Sequence, residues 1–183
     1  TKSLKIMCLF ACSNNRGVGQ TLYVQQGGTM SSDIKKTMWK AMSDSPKVMV
    51  SLVGEDMHAE PMYAQLDKDA DSEFWFYTSR DNRIAKGGKA MVHFASKGHD
   101  VFACIRGNLT VESRKEVIDK YWSNPVEAWF EKGKDDPSLL MLRFELIDAE
   151  VWDADPSLKG MFKMLTGKTV KPEEMGEHEK VDL

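Results

Sequence analysis

The sequence lacks a basic excess, any apolar run near the ~20 residues of a membrane-spanning helix, and the common nucleotide and hydrolase motifs. Its net charge is −3 at pH 7, so we expect neither nucleic acid nor a membrane as a partner. No G-x-G-x-x-G, P-loop or G-x-S-x-G pattern occurs. These absences exclude the most familiar dinucleotide, nucleoside triphosphate and serine hydrolase sites.

Cysteine is scarce as well, with only three residues, at positions 8, 12 and 104. An odd number of thiols without metal-ligand spacing is typical of free cysteines in a reducing compartment, so we expect a cytoplasmic protein. The four histidines lie at unrelated spacings and have no cysteine partner at ligand distance along the chain. We therefore expect no zinc or other metal site.

The chain suits one globular domain, since 42% of its 183 residues are hydrophobic. The first 29 residues fit this domain poorly, because a short apolar run is followed by a polar, Gly-rich stretch. Met30-Ser-Ser-Asp33 then reads as the start of a capped helix. We expect residues 1–29 to be an appendage, arising from a tag, a linker or upstream translation, and residues 30–183 to form the domain.

Periodicity in residues 30–183 predicts short strands in hairpin order, with helices at the ends and between the late strands. Strands are expected over 48–53, 57–66, 74–77, 90–95, 101–111 and 140–152. Helices are expected over 32–45 and from the capping residues Ser113, Asn124 and Asp155, and the tail 168–183 is expected to end loosely. This order predicts an α+β fold with a six-stranded, mostly antiparallel sheet closed into a small barrel.

In the central stretch, 74–88, an aromatic strand runs into hydroxyl and arginine side chains: Thr78, Ser79, Arg80 and Arg83. The hydroxyls can cap a short helix that ends at Gly87-Gly88. Free backbone N–H groups, the helix dipole and a guanidinium would then converge on a phosphate. An arginine at a helix start also opposes the local dipole, which favours Arg83 as an anion ligand. The alternative is a capped surface helix with solvated charges.

Several blocks follow one another in a distinctive order: Glu60-Pro-Met62, Phe74-Trp-Phe-Tyr-Thr-Ser-Arg-Asp-Asn-Arg83, Ser96-Lys-Gly-His-Asp-Val-Phe102, Ala128-Trp-Phe130, Gly133-Lys-Asp-Asp-Pro137 and Gly176-Glu-His178. With these blocks the chain resembles the general stress protein branch of the pyridoxamine 5'-phosphate oxidase-like, FMN-binding split-barrel family. The resemblance runs from about residue 32 to the C-terminus, and residues 1–29 have no counterpart. It implies a Greek-key split barrel that forms a homodimer, with two FMN molecules in clefts between the subunits. FAD is the alternative flavin.

The resemblance also implies which residues bind the phosphate end of the flavin. These are Thr78 and Ser79, on the phosphate or the ribityl chain, and Arg83, on the phosphate. The sequence departs from the oxidases here, because their lysine next to this arginine is Ile84 and their arginine on the flavin strand is not found at 59 or 60. Arg80 and Lys97 are the expected substitutes.

For the isoalloxazine ring, the resemblance implies a strand at Glu60, Pro61 and Met62 running along it. Trp129 and Phe130 would reach the ring from the partner subunit. The alternatives remain open at this stage: Pro61 and Met62 fit the packing of an edge strand, and Trp129 and Phe130 fit a helix stripe in the core.

Three functions follow from the resemblance. The first is a stress-related, FMN-dependent oxidoreductase, and the second is a flavin carrier or sensor without turnover. The third is a true pyridoxamine 5'-phosphate oxidase, against which the C-terminus lacks the Arg-x-His-type ending for the substrate phosphate. Because a flavin supplies its own redox chemistry, no catalytic residue can be named from the sequence.

Overall fold

The computed structural model describes residues 30–154, 165–166, 169 and 177–182. The helices are α1 (Met30–Asp44), α2 (Lys115–Tyr121) and α3 (Asn124–Glu127), with a 3₁₀ turn at Gly133–Asp135. The strands are β1 (Lys47–Leu52), β2 (Glu60–Tyr63), β3 (Glu73–Ser79), β4 (Gly88–Ala95), β5 (Val101–Val111), β6 (Leu139–Asp153) and β7 (Glu177–Asp182). The expected appendage and the helix expected from Asp155 lie outside the described residues, except Leu165, which is 85% exposed rather than inward-facing.

Antiparallel pairing joins the strands in the order β2-β1-β4-β5-β6-β3, and β7 pairs with the second half of β6. The two ends of this order meet, because Gln65 exchanges both backbone hydrogen bonds with Trp75 of β3, at 2.7 and 2.9 Å. The sheet therefore closes into the predicted barrel, and within the described residues β7 adds a strand to the six expected. None of the described helices is long and apolar enough to cross a membrane.

Alternating residues of the strands fill the barrel. Along β6 the inward residues are each at most 8% exposed, as the period of two predicts: Leu140, Leu142, Phe144 and Leu146. Phe144 stacks on Phe74 of β3 with ring centroids 5.0 Å apart. Helix α1 contributes its apolar face to the same core: Ile34, Met38, Trp39 and Met42.

Strand β5 is irregular at Gly107, as expected from the sequence, and its register with β6 shifts between Arg106 and Gly107. A Cβ atom at Gly107 would collide with the Glu145 carbonyl oxygen and the ring of Phe144. Only glycine lets the two strands approach this closely over the packed interior.

Two local expectations are wrong. The tail does not end loosely, because 177–182 pair with β6 and Val181 is 2% exposed. The capping box expected at Ser113 does not form, since Arg114 occupies the cap position without a side-chain hydrogen bond. The carboxylate of Glu112 instead accepts the Arg114 backbone N–H at 2.9 Å. For the tail, pairing with a strand distant in sequence overrides the local pattern, whereas before α2 a different local hydrogen bond replaces the capping box.

Candidate functional site

An open gap between β2 and β3 interrupts the barrel. Among the described residues, Gln65 and Trp75 form the only backbone pairing across it. Because that pairing is antiparallel, the start of β2 at Glu60 and the end of β3 at Ser79 lie together on the open side. We call this gap, between 60–63 and 76–79, the seam. Strand edges without a partner strand leave backbone polar groups that a ligand can use.

Arg83 lies at the mouth of the seam, where it spans from the turn after β3 to the start of β2. Its Nε forms an ion pair with the Glu60 carboxylate, and its Nη1 donates to the His58 carbonyl oxygen at 3.2 Å. Its side chain remains 41% exposed. Lys86 adds a second link, with its Nζ 2.7 Å from Glu55 Oε1. A guanidinium within reach of solvent therefore stands at the open end of the seam.

Residues 80–87 form successive turns instead of the expected short helix. The Asn82 N–H bonds the Ser79 carbonyl oxygen at 3.0 Å, and the Asn82 side-chain oxygen accepts the Ile84 N–H at 3.0 Å. Such a local side-chain bond competes with helix formation, and Ile84 is anchored in the core at 1% exposure. No helix dipole therefore acts on this site, and the dipole argument for Arg83 is wrong.

Two of the predicted phosphate ligands, Thr78 and Ser79, end β3 directly before this turn. Thr78 is buried and Ser79 is half-buried, in register with Leu140 and Leu139 of β6. The structure therefore brings both hydroxyl-bearing residues to the end of the seam where Arg83 and Glu60 meet.

Lys97 lies in the turn after β4, whereas Arg83 lies in the turn before that strand. Its part in binding the phosphate stays a prediction.

Arg80 points away from the seam towards the segment before β6. Its backbone N–H bonds the Ser138 carbonyl oxygen at 2.9 Å, and its Nε bonds the Pro137 carbonyl oxygen at 3.1 Å. It lines a separate cavity of about 290 Å³ together with Glu112 and Lys134. Arg80 thus positions the turn, and its guanidinium contacts the segment before β6 instead of the Glu60 carboxylate that pairs with Arg83.

The outer face of β1, β2 and β4 carries an open groove of about 550 Å³. We call it the outer groove. Met49 lies at its centre, opposite Pro61 on β2 and His93 on β4. Met49 and Tyr63 are 42% and 54% exposed, whereas Met62 packs against the core. Exposed apolar side chains grouped in this way mark a surface that a ligand or another chain covers.

Helix α2 and the residue after it pack on the outer face of β3. The Tyr77 hydroxyl donates to the Ile118 carbonyl oxygen at 2.5 Å, and its ring is edge-on to Trp122 with centroids 5.7 Å apart. Burial, reinforced by the charge of Asp119, raises the pKa of Tyr77 to about 12. The hydroxyl therefore stays protonated at neutral pH and serves in packing, not as a base.

The turn after α3 separates two neighbouring aromatic residues. Phe130 is 7% exposed and its ring lies 6.2 Å from that of Trp122, whereas Trp129 is 84% exposed. Phe130 is therefore buried within its own chain, as the core alternative expects, and its contact with a flavin stays a prediction. Trp129 is not part of the core, so the core alternative is wrong for this residue, and its contact with a partner's flavin stays a prediction.

Sequence patterns did not indicate the Arg83–Glu60 pair or the outer groove. The pair joins a turn to a strand across the seam, and the groove combines outward residues of three strands, so both depend on strand order. The outward positions of β1 could have been found from alternation, since Lys47 and Met49 interrupt its buried residues. Within the described part of the chain, no group of three or more His, Cys, Asp or Glu side chains could hold a metal ion.

Comparison with known proteins identifies the family to which the chain belongs. Residues 33–174 match the family model described as pyridoxamine 5'-phosphate oxidase like, and the chain belongs to this family. General stress protein 26 of Bacillus subtilis strain 168 is 36% identical over 55 residues, which are 30% of this chain and 39% of that protein. The match thus spans well under half the length of that curated relative.

Two solved structures extend the similarity over most of the domain. The general stress FMN/FAD binding protein of Xanthomonas citri is 39% identical, with a TM-score of 0.63, and the match covers 69% of this chain and 93% of that one. A structure described as a candidate general stress protein 26 from Jannaschia sp. CCS1 is 26% identical, with a TM-score of 0.72. That match covers 84% of this chain and 99% of the other. This chain therefore shares both family and barrel with proteins named for general stress.

Proposed function

We propose that this protein binds FMN as a homodimer and acts as a stress-related, flavin-dependent oxidoreductase. The single observation that carries the proposal is the position of Arg83, a partly exposed guanidinium at the open end of the seam, next to the hydroxyl-bearing end of β3. The Xanthomonas citri relative is named for binding FMN or FAD, which supports a flavin as the ligand.

The residues at the seam fit the two ends of a flavin. A phosphate needs a cation and hydrogen-bond donors, which Arg83 supplies with Thr78 and Ser79. A planar ring needs apolar cover, which the β2 edge at Pro61 and Met62 would provide. When bound, the flavin supplies hydride or electron transfer, and the protein supplies binding and orientation.

A second copy of the chain is the proposed partner, because apolar side chains around the outer groove are unusually exposed. Met49 and Tyr63 in the groove are 42% and 54% exposed, and Phe102, in register with Ala95 of the groove, is 36% exposed. A partner that covered the groove would hide these side chains. Trp129, in the turn after α3, is a separate exposed aromatic side chain, at 84%. Trp129 would then be available to cover a flavin held by the neighbouring chain.

Comparing FMN with riboflavin tests the proposal, since they differ by the phosphate. If Arg83 and the hydroxyls hold the phosphate, FMN binds about thirtyfold more tightly, the scale of a charge-assisted contact of about 2 kcal/mol. Arg83→Ala should remove most of this difference. The control is Arg143→Ala, a guanidinium paired with Glu73 at the other end of β3. Equal titration curves for FMN and riboflavin with the unmodified protein would contradict a phosphate site.

Turnover needs a separate experiment on the flavin-loaded dimer. Reduced nicotinamide, added without oxygen, should bleach the absorbance of the oxidised flavin if the protein is an oxidoreductase. A flavin that stays oxidised with every donor tested would assign the protein to the carriers or sensors instead.

A further inference from the structure

The guanidinium proposed to bind the flavin phosphate already has a carboxylate partner. Arg83 uses its Nε on Glu60 and its Nη1 on the His58 carbonyl oxygen. Arginine binds phosphate through this same planar set of N–H donors. A phosphate that takes both donors must therefore displace Glu60, because one N–H cannot serve two anions fully.

Glu60 cannot move far from the site. It is the first residue of β2, in register with Val50 of β1, and its side chain is only 18% exposed. A carboxylate in this position keeps its charge near any anion at Arg83, and partial burial makes that interaction stronger than on an open surface. Lys86, in the same turn as Arg83, pairs with Glu55, and among the described ion pairs Arg83 is the cation that pairs with Glu60.

We propose that Glu60 competes with the flavin phosphate for Arg83 and thereby determines how strongly the site prefers phosphorylated flavins. This inference rests on the proposed function. Without ligand, the carboxylate holds the guanidinium across the mouth of the seam. With FMN, it opposes the phosphate, so that the preference for FMN over riboflavin is smaller than Arg83 alone would produce.

The test is Glu60→Gln, which keeps the shape and the hydrogen-bonding oxygen but removes the charge. FMN should bind about tenfold more tightly to this variant, the scale of one charge pair near a protein surface. Riboflavin should bind within about twofold of its original affinity, because it carries no phosphate to compete. Glu73→Gln is the matched control, since it is the same change at the first residue of β3, where the carboxylate pairs with Arg143.

A double variant separates competition from simple repulsion. An Arg83→Ala variant has no guanidinium for which Glu60 and the phosphate could compete. In that background Glu60→Gln should therefore improve FMN binding much less than it does alone. An equal gain in both backgrounds would overturn the competition, because Glu60 would then act through its field only.

The outcomes distinguish this inference from the proposed function. If the original protein binds neither FMN nor riboflavin, the proposed function fails. If it prefers FMN but Glu60→Gln leaves that affinity unchanged, only the inference fails. Equal weakening of FMN and riboflavin by Glu60→Gln would also overturn it, since Glu60 would then contact the ring or the ribityl chain. Thermal unfolding of each variant checks that the barrel is intact.

Discussion

Trp75 and Glu112, 37 residues apart in the chain, are joined by a hydrogen bond of 3.0 Å from the indole N–H to the carboxylate. Glu112 is 6% exposed and also accepts bonds from the backbone and guanidinium of Arg114. This buried carboxylate is thus fully paired, and it ties the end of β5 to β3 and to the start of α2. The seam runs along β3, the strand that carries Thr78 and Ser79. The hydrogen bonds among Trp75, Glu112 and Arg114 therefore fix the position of that strand.

The first prediction concerns Glu112→Gln. Hydrogen bonding from Arg114 lowers the pKa of Glu112 from 4.5 to about 2, so its ionised form stabilises the fold above pH 4.5 and this contribution is lost as the pH falls towards 2. We expect the variant to lose about 1–3 kcal/mol of unfolding free energy at pH 7. Urea unfolding at pH 7 and pH 3 should show this deficit narrowing in acid. A loss of unfolding free energy that is the same at both pH values would contradict the role of the ionised Glu112 carboxylate. The control is Glu116→Gln, the same change at an exposed position.

The second prediction separates Trp129 from Phe130. Truncating Phe130 to Ala removes a buried ring and should destabilise the fold by about 3 kcal/mol, measured by urea unfolding. Trp129→Ala should change stability by less than about 0.5 kcal/mol, because the side chain is 84% exposed. The same Trp129 variant should weaken flavin binding by about 1–3 kcal/mol if the ring is an anchor for the ligand. Unaltered flavin affinity would remove Trp129 from the site.

The third prediction uses a mixed dimer to ask whether Arg83 and Trp129 meet across the subunit interface. One chain carries Arg83→Ala and the other carries Trp129→Ala, so one cleft loses both contacts and the other keeps both. Half of the flavin should bind with the original affinity, as read from a two-phase titration. Equal weakening of both clefts would mean that the two residues do not serve one cleft from different chains.

The fourth prediction tests the outer groove as the dimer interface. Met49→Asp places a charge at its centre and should raise the dimer dissociation constant by at least about 100-fold, measured by light scattering over a dilution series. Thr110→Asp is the control, because it adds the same charge at an exposed strand position outside the groove. An unmodified protein that is monomeric at micromolar concentration with flavin bound would contradict the proposed dimer.

The fifth prediction concerns the turn that carries Arg83. Gly87 has φ +68°, and a Cβ there would lie 2.6 Å from the Leu109 carbonyl oxygen. Gly54 has φ +84° but no atom within 4 Å of such a Cβ, so it isolates the cost of the backbone conformation alone. We expect Gly54→Ala to cost about 1 kcal/mol and Gly87→Ala at least about 1 kcal/mol more, by thermal or urea unfolding. Equal losses of unfolding free energy at the two positions would show that the turn moves to accommodate the added methyl group at residue 87.

Much of the fold could be predicted because alternation along a strand reports directly which side chains face the interior. The strand at Leu139–Asp153 buries Leu140, Leu142, Phe144 and Leu146 by this rule, and the helix at Met30–Asp44 buries its apolar face by the corresponding 3.6-residue spacing. The site was less accessible. Thr78, Ser79 and Arg83 were predicted together because they are close in the chain, whereas the pairing of Arg83 with Glu60 required barrel closure.

The sequence by itself determined the first six strands, the α+β class and the place where hydroxyl and arginine side chains follow an aromatic strand, because these depend on neighbours within a few residues. The strand at Glu177–Asp182 was decided by its pairing with β6. Only the tertiary structure decided that 80–87 form turns rather than a helix, since the burial of Ile84 anchors that segment. It also decided that Phe130 is buried while Trp129 is exposed. Helical spacing is compatible with burial of either residue, and the contact of the Phe130 ring with Trp122 places Phe130 inside. Burial and ion pairing across the seam depend on how strands far apart in sequence are aligned with each other. A local sequence pattern does not specify that alignment.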